Sequence, residues 1–209
     1  ILVGGFGKPG VPEILIDGVC DLGRRGLTIV TNNAGTGHSG IARLIEEGCV
    51  AKLICSFPWA KESFVFKEMY DAGKIELELV PQGTLAERMR TAGAGLGGFL
   101  TPTGAGTDLA AGKETMTVDG KEYVLEKPLR GDFALIKAFK ADPRGNLIYR
   151  MTARNFNPIM AMAADFTIAE VQDEVALGDL DPEIIVTPGV FVDTYHVTGW
   201  YEIGKENAG

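Results

Sequence analysis

Four loops in this sequence carry residue types and spacings suited to chemistry. The first, Gly5-Phe6-Gly7-Lys8-Pro9-Gly10, matches GxGxxG between an apolar strand and a helix. Dinucleotide folds use that pattern to bring backbone N–H groups to a pyrophosphate. The same use requires an acid at the end of the second strand, to bind ribose hydroxyls. Here that strand ends Val30-Thr31-Asn32-Asn33, and Pro9 removes one donor from the loop. A tight loop without a ligand is the plain alternative. The second loop, Thr31 to His38, follows the carboxyl end of an expected parallel strand, where open α/β sheets hold their ligands. Asn32 and Asn33 offer neutral donors and acceptors there, although an Asx-turn would use the same residues structurally. His38 has no recognisable nucleophile beside it and reads as solvent-facing or capping. The third loop precedes a helix at Pro81-Gln82-Gly83-Thr84. Thr84-x-x-Glu87 reads as a capping box, which gives Glu87 a structural use and demotes it as a nucleophile. Gln82 is left on the loop, where its amide can donate to a ligand oxygen beside a helix N-terminus that favours negative charge. The fourth, Gly93 to Thr107, is mostly glycine and other small residues, suited to lie closely against backbone or a thin ligand. Gly104 and Gly106 fall in it.

Regular elements must hold these loops in place. Strands are expected at Ile1–Val3, Leu27–Thr31, Val50–Cys55 and Ile75–Val80. Helices are expected at Pro12–Leu22, Ile41–Glu47 (capped by Ser39) and Glu62–Ala72, with a further helix starting at Thr84. The unit of helix, glycine and buried strand recurs, which favours a parallel sheet with helices on its faces. Beyond it, Asp119-Gly120 between Met116–Val118 and Lys121–Leu125 signals a hairpin. Strands follow at Phe133–Ala138, Asn146–Tyr149, Phe166–Val171, Ile184–Val186 and Val190–Val192, with a short helix opened by Asn157 as cap and Pro158. The expected fold is α/β, a mostly parallel open sheet with flanking helices and a β-rich second half, in a single domain over residues 1–209. Glu13, Glu46, Glu47, Glu62 and Glu68 fall on polar helix faces, and Met160 and Met162 read as core.

The chain has 209 residues, 45% hydrophobic and 23% charged, with 20 Lys+Arg against 28 Asp+Glu, so the net charge is −8. That is a globular composition rather than a disordered one. An acidic balance argues against general nucleic-acid or anionic-membrane binding. No run is long enough to span a membrane, and no signal peptide is visible. Cys20, Cys49 and Cys55 form no CxxC, and with two histidines they make no zinc spacing. No metal is expected. The odd cysteine count fits a reducing, cytoplasmic compartment. The chain opens inside an apolar strand, and residues are expected before Ile1.

The same segments resemble the α (or A) chain of the 3-oxoacid CoA-transferases. The resemblance rests on Ile1-Leu2-Val3-Gly4-Gly5-Phe6 through Gly10-Val11-Pro12, Asn32-Asn33-Ala34-Gly35, Pro81-Gln82-Gly83-Thr84-Leu85-Ala86-Glu87-Arg88, Thr101-Pro102-Thr103-Gly104, Gly145-Asn146-Leu147, Ala153-Arg154-Asn155-Phe156 and Ile185-Val186-Thr187-Pro188-Gly189. It spans nearly the whole chain. Thr31 stands where the family commonly has Ser, and Lys8-Pro9 are atypical of the first loop. Cys55-Ser56-Phe57-Pro58 and Ala72-Gly73-Lys74-Ile75-Glu76 look most like the 3-oxoadipate enzymes, whereas Ala94 to Leu100 looks more like the acetate/acetoacetate enzymes.

The resemblance implies transfer of CoA from an acyl-CoA, often succinyl-CoA, to a small carboxylic acid by a ping-pong route, with no permanently bound cofactor. It implies a nucleophilic glutamate on a β subunit, in a heterodimer or heterotetramer. This chain then supplies Gln82 as oxyanion or carboxylate donor, with Asn32 and Asn33 in support. Gly5, Gly7, Gly10, Gly104 and Gly106 let backbone approach substrate, and Lys8 provides a counter-charge. Two rival readings remain from the residues alone: an NAD-dependent oxidoreductase, and a sugar-phosphate isomerase-like or binding module acting without a partner.

Overall fold

The structure is a computed structural model in which residues 1–199 are described. The end of the expected single domain, residues 200–209, lies outside the described residues. The first half alternates β1 (Leu2–Val3), α1 (Glu13–Asp21), β2 (Leu27–Val30), α2 (Ile41–Glu46), β3 (Val50–Cys55), α3 (Phe64–Asp71) and β4 (Glu76–Leu79). Then come α4 (Gln82–Gly93), β5 (Phe99–Thr101), β6 (Thr115–Val118) and β7 (Lys121–Glu126). The chain continues through β8 (Gly131–Ala141), β9 (Leu147–Ile148), α5 (Asn157–Ala163), β10 (Ala164–Glu174) and β11 (Thr194–Val197).

The main sheet runs β11-β10-β8-β1-β2-β3-β4. Every pairing along that path is parallel, and β9 joins antiparallel to β8. Buried residues alternate between the two faces, as the period of two demands. Val3, Ile29, Leu53 and Leu135 pack with Ile16, Ile41, Leu44, Val65 and Phe66 of α1, α2 and α3. Leu2, Val30, Ile54, Ala134 and Ile136 pack with Leu85, Met89, Met160 and Ala163 of α4 and α5. The sheet is therefore a middle layer covered on both sides at its centre, where β1 and the ends of β2 and β3 read as apolar runs, whereas in the edge strands β4 and β11 apolar residues alternate with polar ones. Gly48 and Gly73, at φ +70° and +68°, stop α2 and α3 in the left-handed conformation that side chains resist.

A second, antiparallel sheet has the order β5-β7-β6. Its hairpin turns at Asp119 and Gly120, both with positive φ, as the Asp-Gly pair predicts. An ion-pair chain ties this sheet to the main one. Lys52 holds Glu76 at 2.8 Å and Glu78 at 3.0 Å, Arg88 reaches Glu78 at 3.1 Å, and Lys113 holds buried Glu126 at 2.6 Å beside Arg88.

The structure corrects several local expectations. The strands expected at Ile184–Val186 and Val190–Val192 are replaced by single 3-10 turns, Pro182–Ile184 and Gly189–Phe191, each opened by proline. Strand β11 is not expected from the sequence: its Thr-Tyr-His-Val is only four residues long and largely exposed, and it exists because β10 pairs with it. Ser39 does not cap α2; its hydroxyl donates to Thr36 O at 3.1 Å. The capping box is also absent. Helix α4 starts two residues before Thr84, which is buried inside it, and Glu87 pairs with Arg90 instead.

Candidate active site

The ends of β1, β2, β3 and β4 bring three of the four loops to one edge of the sheet. β2 delivers Asn32, β3 delivers Ser56, and the turn from β4 into α4 delivers Gln82. Gln82 Nε2 donates to Asn32 Oδ1 at 2.8 Å, and Ser56 Oγ donates to the same oxygen at 2.8 Å. Ser56 Oγ and the N–H groups of Ser56 and Phe57 also bond Asn32 O. The acceptor end of Asn32 is thus saturated, and its NH2 end has no protein partner among the described residues. Gln82 is the first residue of α4 rather than a loop residue, and Pro81 supplies no side-chain cap. The free N–H groups of that helical turn lie beside its amide, where they favour negative charge.

Asn33 is held in the same way from the other side. The N–H of Gly7 donates to Asn33 Oδ1 at 3.3 Å. Gly7, Lys8, Glu13, Thr31, Asn33 and Gly40 are among the residues lining a narrow cleft, with room for about one water molecule. Lys8 is exposed and has no ion-pair partner among the described residues. Glu13 is not on a polar helix face as expected. Its carboxylate accepts the N–H of Gly40 at 2.8 Å, and burial, opposed by that bond, pushes its pKa above the usual range.

The glycines of the first loop have specific uses. A Cβ on Gly4 would collide with Asn157 Oδ1, and one on Gly5 would lie 2.5 Å from a Val11 methyl. One on Gly10 would lie 2.5 Å from Ala153 O and 2.8 Å from the amide nitrogens of Asn155 and Asn157. These glycines therefore make room for the protein's own side chains. Gly7 is different: the nearest atom to a Cβ there is Pro9 Cδ at 3.9 Å. Asn157 does not cap α5 as its place in the sequence predicts, because Phe156 occupies the cap position. Fully buried, Asn157 accepts the Lys137 N–H at 2.9 Å and donates to Gly10 O at 3.1 Å and Ala153 O at 2.8 Å. Asn155, Asn157 and Ser56 build the site without being legible as site residues in the sequence. The Ala153-Arg154-Asn155-Phe156 motif is the only signal near the first two.

Gly104 and Gly106 lie in the turn after β5, on the small sheet. Thr107 Oγ1 donates to Gly104 O at 2.7 Å, and a Cβ on Gly106 would meet open space. Among the described residues no hydrogen bond joins them to Gln82 or to the first loop. His38 is 66% exposed and bonds Glu46 at 3.1 Å, away from any nucleophile.

The GxGxxG segment does not offer a pyrophosphate site. The helix that follows it is α1, and its Ile14 N–H donates to the buried Glu170 carboxylate at 2.9 Å. An anion of the protein already occupies the place a phosphate would take. Among the described residues no group of His, Cys, Asp or Glu is arranged to hold a metal ion, and no helix is long and apolar enough to cross a membrane.

Neutral amides thus gather at the end of a parallel sheet, beside a glycine loop that the protein's own side chains largely fill. The chain belongs to the coenzyme A transferase family, whose model matches residues 1–195. It is 63% identical to the A subunit of 3-oxoadipate CoA-transferase of Acinetobacter baylyi, over 92% of this chain and 84% of that protein. The corresponding figures for the Pseudomonas putida protein of the same name are 61%, 92% and 83%. It is 50% identical to the A subunit of a probable succinyl-CoA:3-ketoacid coenzyme A transferase of Bacillus subtilis, over 92% of this chain and 80% of that one. The protein is thus a CoA-transferase chain of the α type. The fold matches glutaconate coenzyme A-transferase of Acidaminococcus fermentans with a TM-score of 0.83 at 20% identity, covering 95% of this chain and 70% of that one. It also matches an Escherichia coli acyl-CoA transferase–CoA thioester complex with a TM-score of 0.82 at 23% identity, covering 94% of this chain but only 46% of that longer one.

Proposed function

We propose that this chain is the α subunit of a heteromeric 3-oxoacid CoA-transferase of the cytoplasm. It moves CoA from an acyl-CoA, succinyl-CoA by preference, to 3-oxoadipate, with acetoacetate or acetate as the alternative acceptor. The observation that carries this reading is the cluster of Asn32, Ser56 and Gln82. It consists of uncharged side chains, with no carboxylate among them to act as nucleophile. The names of the relatives support the substrate and the division into subunits.

In this reading the nucleophilic glutamate comes from the β subunit. Its carboxylate attacks the thioester carbonyl and expels CoA thiolate, leaving an acyl-glutamyl anhydride. The thiolate attacks the glutamyl carbonyl and releases the donor acid, which leaves a glutamyl thioester. The acceptor carboxylate then runs the two steps in reverse. Each step passes through a tetrahedral oxyanion. Asn32 and Asn33 have their oxygens turned inward, so their NH2 groups are the donors offered to that charge. Gln82 fixes Asn32 and offers its second N–H. Gly7 leaves space at the loop apex, Lys8 faces the far carboxylate of a diacid, and Gly5, Gly10, Gly104 and Gly106 shape the path of the backbone. Three free thiols fit a reducing compartment.

The test is to co-purify the partner chain and assay CoA transfer from succinyl-CoA to 3-oxoadipate, acetoacetate and acetate. Transfer by the pair, fastest to 3-oxoadipate, and none by this chain alone is expected. Thioester exchange by the isolated chain would overturn the reading, as would a covalent adduct on one of its own acids.

A further inference from the structure

We infer that Asn155 is a positioning residue for this reaction, acting through the glycine loop on Asn33. The inference rests on the CoA-transferase reading above. Asn155 grips the loop at two points: its Oδ1 accepts the Gly5 N–H at 3.2 Å, and its Nδ2 donates to Pro9 O at 3.0 Å. The grip is itself anchored. Asn155 Nδ2 also donates to Thr152 O at 2.8 Å, and Oδ1 accepts from Phe156 N at 2.7 Å and Asn157 Nδ2 at 3.2 Å. Between the gripped ends, Phe6 N bonds Pro9 O at 3.1 Å and closes the turn. The apex of that turn is Gly7, whose N–H donates to Asn33 Oδ1.

That last bond sets the orientation of Asn33. A side-chain amide has two ends of opposite polarity, and only a partner decides which one points at a ligand. Gly7 takes the oxygen, so the NH2 group is the end left for substrate. When Asn155 is truncated, Gly5 and Pro9 lose their common tether, Gly7 no longer has a fixed position, and the Asn33 amide is free to rotate. Asn155 also lines an open apolar cleft with Phe6, Pro9 and Thr152, so direct contact with substrate is the competing role.

The two roles separate in a double-mutant cycle on the enzyme assembled with its partner chain. Asn155→Ala is expected to lower kcat roughly tenfold, the scale of one net hydrogen bond, and Asn33→Ala about 10²-fold, the effect of losing an oxyanion donor, each with KM for the acyl-CoA little changed. The double variant is expected to be no slower than Asn33→Ala alone, because the loop then has no amide to orient. Asn155→Asp keeps the acceptor for Gly5 and Phe156 and is expected to recover part of kcat. Backbone hydrogen exchange in Asn155→Ala is expected to quicken at residues 4–11 and stay unchanged in the sheet. Multiplicative losses in the double variant would overturn the proposal, as would a normal kcat despite a loosened loop. An unsubstituted enzyme that moves no CoA to any of the acids is a separate failure. It removes the functional reading and this role with it, while loop exchange still reports whether the grip exists.

Discussion

Glu170, on strand β10, accepts the backbone N–H of Ile14 at 2.9 Å, so the sheet itself caps helix α1. Pro12, at the cap position, has no side chain that can do so. The second Glu170 oxygen takes Lys137 Nζ at 2.6 Å, in a site where Glu170 is 1% exposed. Glu170→Ala leaves both the helix end and the lysine without their partner. Breaking a buried pair in this way costs roughly 3–5 kcal/mol. Urea unfolding is expected to show a loss of that size, and a clearly smaller one for Glu170→Gln, which keeps an acceptor for Ile14.

Gln82→Ala is expected to slow CoA transfer about 10²-fold or more in the assembled enzyme, the typical effect of losing one oxyanion donor. The variant removes the amide and also deprives Asn32 Oδ1 of its nitrogen partner. Unchanged kcat in an intact complex would remove Gln82 from the machinery.

Asn157→Ala is expected to be a stability variant first. Its side chain serves Lys137 N, Gly10 O and Ala153 O, and each buried backbone group left unsatisfied costs about 1–3 kcal/mol. Thermal unfolding of the isolated chain checks this. A midpoint equal to that of the unsubstituted chain would show that water replaces the amide without penalty.

Asp142 gives the fold part of its acid sensitivity. Burial alone would raise its pKa, but hydrogen bonds from the Asn146 side chain, Asn146 N and Arg144 N outweigh burial and hold it below the ordinary 3.8. The stabilisation from this ionised carboxylate is complete above the unfolded pKa. It fades as pH falls through the depressed folded one. Asp142→Asn should therefore lower stability near neutrality and flatten the acid limb of a pH–stability curve. An acid limb as steep as before would refute the assignment.

The alternation of helix, glycine and buried strand makes the first half of the fold legible, because local periodicity and helix stops determine it. What escapes a local reading is fixed by distant partners. Asn157 reads locally as a cap, and only the approach of Gly10 turns it into a tether. Glu13 reads as a surface acid until Gly40 covers it. Gln82 reads as a loop residue because Pro81 and Gly83 look like turn residues, yet proline is well suited to the start of a helix. Strand β5 is hidden in a glycine-rich run, and it exists because β7 pairs with it. The asparagine pair and Gln82 are legible as candidates at the end of the sheet, but the sharing of one Asn32 oxygen between Gln82 and Ser56 is not.

Strand β1 lies between β2 and β8, and its Leu2 registers with Val30 on one side and Ala134 on the other. A ribosome must therefore release β8, which begins at Gly131 and so emerges long after β1 at Leu2, before the middle of the sheet has both neighbours. Until then, the glycine loop that β1 carries lacks its floor. Non-local pairing of this kind folds slowly and leaves apolar edges uncovered meanwhile. Nascent chains interrupted before β8 are thus expected to be clients of chaperones rather than small stable domains.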